Sequence, residues 1–208
     1  MTPAMKISTF AVAAALAASL GLAGCAAGTG TPGGSTHGAD HGSPSAMSSM
    51  MPDANADHNQ ADIMFAQMMI PHHAQAVEMS DIVLAKPDLP AEVAALATRI
   101  KDAQAPEIEA MTGWLKSWNA PVAMSDHSAH GMAGMVDAEG IDKLKAAQGT
   151  EAARLFMEQM TGHHEGAVEM AQQEIGSGKY PEAVQLARDI VTAQEAEIAE
   201  MKQLLAGL

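Results

Sequence analysis

Two segments of fifteen residues each combine the side chains that bind soft metals in proteins. "FAQMMIPHHAQAVEM" spans Phe65 to Met79, and "FMEQMTGHHEGAVEM" spans Phe156 to Met170. Each contains two adjacent histidines, with one methionine three residues before the pair and another six residues after it. Imidazole binds Cu(I), Cu(II) and zinc, whereas thioether sulfur favours Cu(I). The repeated pattern therefore predicts a copper site that favours Cu(I), with Cu(II) as the second candidate.

Other metals fit these segments less well, although a site without metal stays open. Zinc more often adds cysteine or carboxylate to histidine. A di-iron bundle carries Glu-x-x-His motifs, but the residues three positions before His72 and His163 are Met69 and Met160. Each feature taken alone is also common in protein cores, where histidine is hydrogen bonded and methionine fills space.

Helical periodicity places both segments inside a larger repeat. The expected long helices cover about 57–86, 90–118, 150–175 and 181–206, with a short piece at 141–147. The second helix of each half also repeats, as "AQAPEIEAM" and "AQEAEIAEM". Two copies of one αα-hairpin that bury their apolar stripes against each other predict an all-α four-helix bundle.

The apolar stripes carry polar residues that need partners. At 100° per residue, His72 lies near the centre of the stripe of the first helix, and His73 lies at its margin. In the second helix of each half, a glutamine and a glutamate three residues later share one face. These polar residues are predicted to support the imidazoles from outside the metal site; they are Gln104, Glu107, Gln194 and Glu197.

The N-terminal region predicts export and a lipid anchor. Residues 1–24 have the pattern of a signal peptide, with Lys6 ahead of an apolar run that is too short to span a bilayer comfortably. "LAGC" then resembles a bacterial lipobox, which predicts acylation of Cys25. Ordinary cleavage that leaves a free thiol is the alternative. Residues 25–56 are rich in Gly, Ser, His and Met and predict a flexible tether to a domain at 57–208.

A second His/Met segment lies between the two repeats, which span about 57–118 and 150–208. This loop, residues 119–140, places histidine and methionine in a Gly/Ser background. It is predicted to be a mobile segment that captures copper weakly, and an incidental linker is the alternative. The candidate ligands are His127, His130, Met132 and Met135.

Charge and the lack of catalytic motifs exclude several functions. The formal net charge of −14 argues against nucleic acid, which requires a basic face. The single cysteine excludes an intrachain disulfide. The sequence contains no readable arrangement of a nucleophile and its base, so we do not expect an enzyme.

The chain resembles a known family at four motifs. These are the two His-His segments together with "AQAPEIEAM" and "AQEAEIAEM", and the resemblance covers about 57–208. The family is that of the exported bacterial proteins grouped as domain of unknown function 305. Its members are ferritin-like bundles, and some bind copper in the periplasm and support copper tolerance. The resemblance implies that the metal ligands are Met69, His72, His73, Met79, Met160, His163, His164 and Met170.

Together these observations predict a lipid-anchored protein on the outer face of a membrane, in the periplasm or at the cell surface. It would buffer, sequester or deliver copper, with copper ions and a copper-handling protein as partners. Binding is expected to weaken below about pH 6, where imidazole takes up a proton. A ferritin-like metal-dependent oxidase and a structural bundle with a buried polar network are the alternatives.

Overall fold

The computed structural model describes residues 57–123 and 132–208. Of these residues 81% are helical and none forms a strand, which confirms the predicted all-α bundle. The predicted signal peptide and tether, with Cys25, lie outside the described residues, as do His127 and His130. The helices are α1 Gln60–Leu84, α2 Ala91–Ser117, α3 Ala138–Ala146, α4 Gly149–Ser177 and α5 Pro181–Gly207.

The bundle consists of two hairpins joined through their first helices. Helix α1 packs along α2, and α4 packs along α5. Contact between α1 and α4 joins the hairpins, and the short helix α3 lies against both of them. Within the described ranges, none of the helices combines the length and the apolar composition that a membrane crossing requires.

Two separate apolar clusters show that α1 and α4 are antiparallel. In the first, which we call the Met79 cluster, the C-terminal half of α1 meets Phe156 and Met160 from the N-terminal half of α4. In the second, the Met69 cluster, the N-terminal half of α1 meets Met170 from the C-terminal half of α4. The two repeats are therefore related by an approximate twofold axis. Along both helices, the His-His pairs lie between the two clusters.

The first turn of α1 is tied to the turn between α4 and α5. Asn59 caps α1, because its side chain accepts a hydrogen bond from the backbone N–H of Ala61 at 2.7 Å. One carboxylate oxygen of Asp62 accepts hydrogen bonds from the backbone N–H groups of Lys179 and Tyr180, each at 2.9 Å. These contacts fix the position of α1 relative to the second hairpin.

The short helix begins earlier than the sequence predicted. It starts at Ala138, not at Ile141, so it takes up the end of the predicted loop 119–140. The side chain of Asp137 accepts a hydrogen bond from the backbone N–H of Gly140 at 2.8 Å. Because an N-cap of this kind stabilises the first turn, the helix starts directly after Asp137.

Candidate metal centre

The centre of the bundle contains a pair of closely packed imidazoles from the two repeats. The ring centroids of His72 and His163 lie 3.8 Å apart, with the ring planes tilted by 38°. Both side chains are buried. His72 comes from α1 and His163 from α4, so this pair forms only when the two hairpins pack together.

The other histidine of each pair points into its own hairpin. The Nε2–H of His73 donates to the Glu107 carboxylate at 2.7 Å, and that of His164 donates to Glu197 at the same distance. Both histidines are fully buried, including His73, which the sequence places at the margin of the apolar stripe. Helix α1 is covered on two sides, by α2 and by α4, and its buried surface is therefore wider than a single stripe.

Several imidazole nitrogens in this region have no hydrogen bond with a described residue. Both nitrogens of His163 are in this state apart from a weak interaction with the backbone of His72, as is the Nδ1 atom of the other three histidines. His72 donates its Nε2–H to the backbone carbonyl of Ala133 at 3.1 Å. Since an imidazole that donates from Nε2 keeps its lone pair on Nδ1, His72, His73 and His164 each retain a buried lone pair. Such lone pairs are the groups that bind a metal ion.

Burial keeps the central imidazoles neutral. It lowers the pKa of His72 to about 4, although the hydrogen bond to Ala133 opposes this shift. Burial likewise lowers the pKa of His163 well below its usual value, with smaller contributions from the neighbouring histidines. A proton would therefore compete with a metal for His72 nearer pH 4 than the pH of about 6 expected from an unperturbed histidine.

The four predicted methionine ligands are buried and combine across the repeats. Met79 and Met160 belong to one apolar cluster, and Met69 and Met170 belong to the other. The Met79 cluster also holds the buried Met157 and Met201, and the Met69 cluster holds Met111, none of which was predicted as a ligand from the sequence. Among residues 57–123 and 132–208, no group of three or more His, Cys, Asp or Glu side chains is arranged to hold a metal ion.

The two predicted glutamines lie in the interior, but no imidazole is their hydrogen-bond partner in the described residues. Gln104 on α2 and Gln194 on α5 are each 3% exposed. Neither amide atom of Gln104 has a partner among the described residues, and the same holds for the Oε1 atom of Gln194. The glutamates of the same faces, in contrast, contact the imidazoles directly.

A short segment before α3, which we call the strap, crosses the central histidines. The strap is residues 132–136, and Met132 is buried in it, whereas Met135 is partly buried. Besides the contact to His72, Gln75 pairs with both backbone groups of Val136 at 2.8 Å. The strap is thus held on α1 by side chains next to the His-His pair.

The strap approaches α4 closely because glycine occupies position 166. A Cβ atom at Gly166 would lie 2.0 Å from the carbonyl oxygen of Ala133. Gly134, at φ +82°, lies against the same turn of α4. Gly166 is the counterpart of Gln75 in the repeat, and this difference is the sequence signal for the strap that the sequence analysis did not use.

At the far end of the Met69 cluster, Glu174 is an unusual buried carboxyl group. It is 2% exposed, and neither of its oxygens has a hydrogen-bond donor among the described residues. Burial, together with the hydrogen bond to Asp62 and its charge, raises the pKa of Glu174 to about 8. The carboxyl group is therefore protonated at neutral pH.

Stability is expected to fall as the pH rises because of Glu174. The pKa of Glu174 is higher in the folded state than its ordinary value of 4.5, so its favourable contribution is complete below pH 4.5 and is lost as the pH rises through 8. At pH 9 we expect Glu174→Gln to increase the free energy of unfolding by about 2 kcal/mol. This value is smaller than the full pKa shift would give, because solvent in the adjacent open pocket screens the charge. Urea unfolding at pH 5 and pH 9 measures this, with Glu169→Gln, an exposed change on the same helix, as the control. An equal response of the two variants would contradict the prediction.

Comparison with known proteins assigns the chain to a family. The family model described as Domain of unknown function (DUF305) matches residues 62–205. The chain belongs to the DUF305 family. The match includes both hairpins, the strap and all eight predicted ligands of the centre. None of the curated proteins shows a significant match to this DUF305 protein.

Solved structures similar to this DUF305 protein include several family members. One is a DUF305 protein from Streptomyces coelicolor that is described as secreted. It is 40% identical to this chain at a TM-score of 0.66, and the alignment covers 71% of this chain and 91% of the Streptomyces coelicolor chain. A DUF305 fragment from Deinococcus radiodurans is 31% identical at a TM-score of 0.65, covering 72% and 98%. CopM in its Cu(I)-bound form is 36% identical at a TM-score of 0.60, covering 70% and 96%. CopM was also solved with Cu(II) and with silver.

Proposed function

We propose that the chain is an extracytoplasmic protein that binds copper and buffers, sequesters or delivers it, thereby supporting copper tolerance. The observation that carries this proposal is the buried pair of His72 and His163, whose ring centroids lie 3.8 Å apart where the hairpins meet. Neutral imidazoles with lone pairs free of hydrogen bonds can ligate a metal without first losing a proton. The donors available at this level of the bundle thus fit copper.

The methionine clusters and the glutamates complete the proposed site. Thioether sulfur above and below the imidazoles favours Cu(I) over harder cations. The ligands would be the eight methionines and histidines that the family resemblance implies. Glu107 and Glu197 would fix the orientation of His73 and His164, since a hydrogen bond from the far nitrogen holds a ligating ring in place. Gln104 and Gln194 would be further polar neighbours.

The relatives support copper as the cargo. CopM, 36% identical to this chain over 70% of its length, was solved with Cu(I), and the Cu(II) form is 38% identical. We also propose export, for which the secreted assignment of the Streptomyces coelicolor relative gives support. The lipid anchor at Cys25, a copper-handling protein as partner, and the absence of substrate turnover are further parts of this proposal.

Titration with Cu(I) in the presence of a competing chelator tests the proposal. The mature full chain is compared with the double variant His72→Ala, His163→Ala. Loss of a hydrogen bond to a ligating side chain alone lowers metal affinity by about 10–100-fold. Removal of two ligands is therefore expected to weaken the tightest site by at least about 100-fold. His58→Ala is the matched control, because the His58 ring stacks on Trp118 and does not belong to the predicted ligand set.

The same experiment separates the alternatives. If the double variant binds Cu(I) as tightly as the parent protein, the central site is not the copper site. If copper leaves the melting temperature of the parent protein unchanged, the histidines belong to a structural polar network, because a ligand of the folded state raises it. Oxygen consumption by the copper-loaded protein would instead favour the oxidase.

A further inference from the structure

Four possible metal donors line an open pocket near the N-terminal end of α1. Met64 and Met68 come from α1, and Met170 and Glu174 come from α4. In each helix the two residues are four positions apart, so that both side chains project from the same face. Since α1 and α4 are antiparallel, the two pairs meet across the pocket, which has a volume of about 130 Å³.

The carboxyl group of Glu174 lacks a donor at this pocket. Its oxygens receive no hydrogen bond from any described residue although the side chain is 2% exposed. The neighbouring Asp62 adds a second acidic group. A buried carboxylate is costly unless a donor or a cation satisfies it. At neutral pH the Glu174 carboxyl group holds a proton and interacts with Asp62, and a cation in the pocket would take the place of that proton.

The three methionines provide thioether sulfur from the solvent inwards. Met64 is 45% exposed, Met68 is partly buried, and Met170 is 5% exposed. Among the described residues, Met64 and Leu208 are the only large apolar side chains that are well exposed to solvent. A methionine at the surface keeps its sulfur accessible to a soft ion.

The repeat shows that packing alone does not require these donors. The positions equivalent to Met64 and Met68 hold Leu155 and Gln159, and the position equivalent to Glu174 holds Val83. Of the four equivalent positions in the other repeat, only one holds such a donor, namely Met79 at the position of Met170. The donor set is confined to one side of the twofold axis, where the pocket opens.

We propose that Met64, Met68, Met170 and Glu174 form a second site for a soft monovalent cation such as Cu(I) or Ag(I). The site is open to solvent and shares only Met170 with the ligands proposed for the centre, so it goes beyond the proposed function. Met170 belongs both to this pocket and to the buried Met69 cluster. A cation bound here would therefore contact a residue that continues into the interior.

Silver titration of the full chain with 13C-methyl-labelled methionine tests the second site. Ag(I) is a redox-inert probe, and the methyl signals are assigned by single Met→Leu variants. The signals of Met64, Met68 and Met170 are expected to shift together and to saturate together. Met64→Leu, Met68→Gln, which introduces the residues of the other repeat, is expected to weaken the response of Met170 at least about tenfold. Ser177→Ala, in the same pocket without a soft donor, is the control and should leave the response unchanged.

A background with His72→Ala and His163→Ala separates this site from the central one. In that background the shared response of Met64, Met68 and Met170 should persist, and Glu174→Gln should weaken it. The second site is overturned if the Met64 and Met68 signals keep their silver-free positions while other methionines shift. It is also overturned if the double methionine variant leaves the response of Met170 unchanged in this background. Either result leaves the copper titration of the centre untouched.

Discussion

His163→Leu is expected to make the metal-free protein more stable by about 2 kcal/mol, because a buried polar group without a partner costs its full desolvation energy. Neither ring nitrogen of His163 makes a hydrogen bond of good geometry with a described residue, the backbone of His72 contributes only a weak interaction, and the side chain is 1% exposed. Leucine is similar in volume and has no polar atom to satisfy. Urea unfolding of the metal-free variants at pH 7 measures the gain.

The counterpart in the first repeat is the matched control for this effect. His72→Leu removes a ring that donates to the Ala133 carbonyl, so it is expected to gain less than His163→Leu. Both changes should abolish the rise in melting temperature that copper produces, since each removes one imidazole of the central pair. A metal-free His163→Leu protein that is less stable than the parent protein would show that His163 is satisfied in solution.

Gly166→Ala is expected to lower the free energy of unfolding by about 2 kcal/mol through overpacking. The new Cβ atom would lie 2.0 Å from the carbonyl oxygen of Ala133 and 2.9 Å from the Cα atom of Gly134. Because both are backbone atoms, the strap has to move away from α4 and gives up the hydrogen bond from His72. Urea unfolding measures the loss of stability, and amide exchange at residues 132–136 measures the release of the strap.

Gly162→Ala provides the opposite expectation one turn earlier on the same helix. A Cβ atom at Gly162 would meet nothing within 4 Å. Alanine is favoured over glycine in a helix interior by up to about 1 kcal/mol, so this variant should be more stable than the parent protein. A change of stability in the same direction for both alanine variants would contradict the close contact between the strap and Gly166.

The internal repeat and the spacing of its apolar residues are enough to predict most of the fold from the sequence. Helix positions follow from the spacing of residues such as Phe65, Met69 and Met79, because that spacing repeats in the second half. A glutamate in an apolar stripe needs a buried partner, and Glu107 has one in His73. What periodicity could not give was the direction of each imidazole. That direction depends on which helix covers which side of α1.

The strap and the buried carboxyl group depend on tertiary contacts that leave no periodic signal. Ala133 reaches His72 from a loop, and only the exchange of Gln75 for Gly166 between the repeats marks the crossing. Glu174 stands among polar residues of α4 and is buried only because Asp62 and the turn after α4 close over it. Neither feature can be read from the spacing of apolar residues along one helix.

The meeting of His72 and His163 across the hairpin contact has a consequence for ancestry. One αα-hairpin brings a single member of the pair, whereas two identical hairpins related by a twofold axis as a homodimer would rebuild it. Gene duplication and fusion of such a half-size subunit would have freed the copies to diverge. In that history, Gln75 and Gly166 occupy positions that descend from one ancestral position. Gln75 now binds the strap by hydrogen bonds and Gly166 leaves room for it, a difference that two identical subunits could not have.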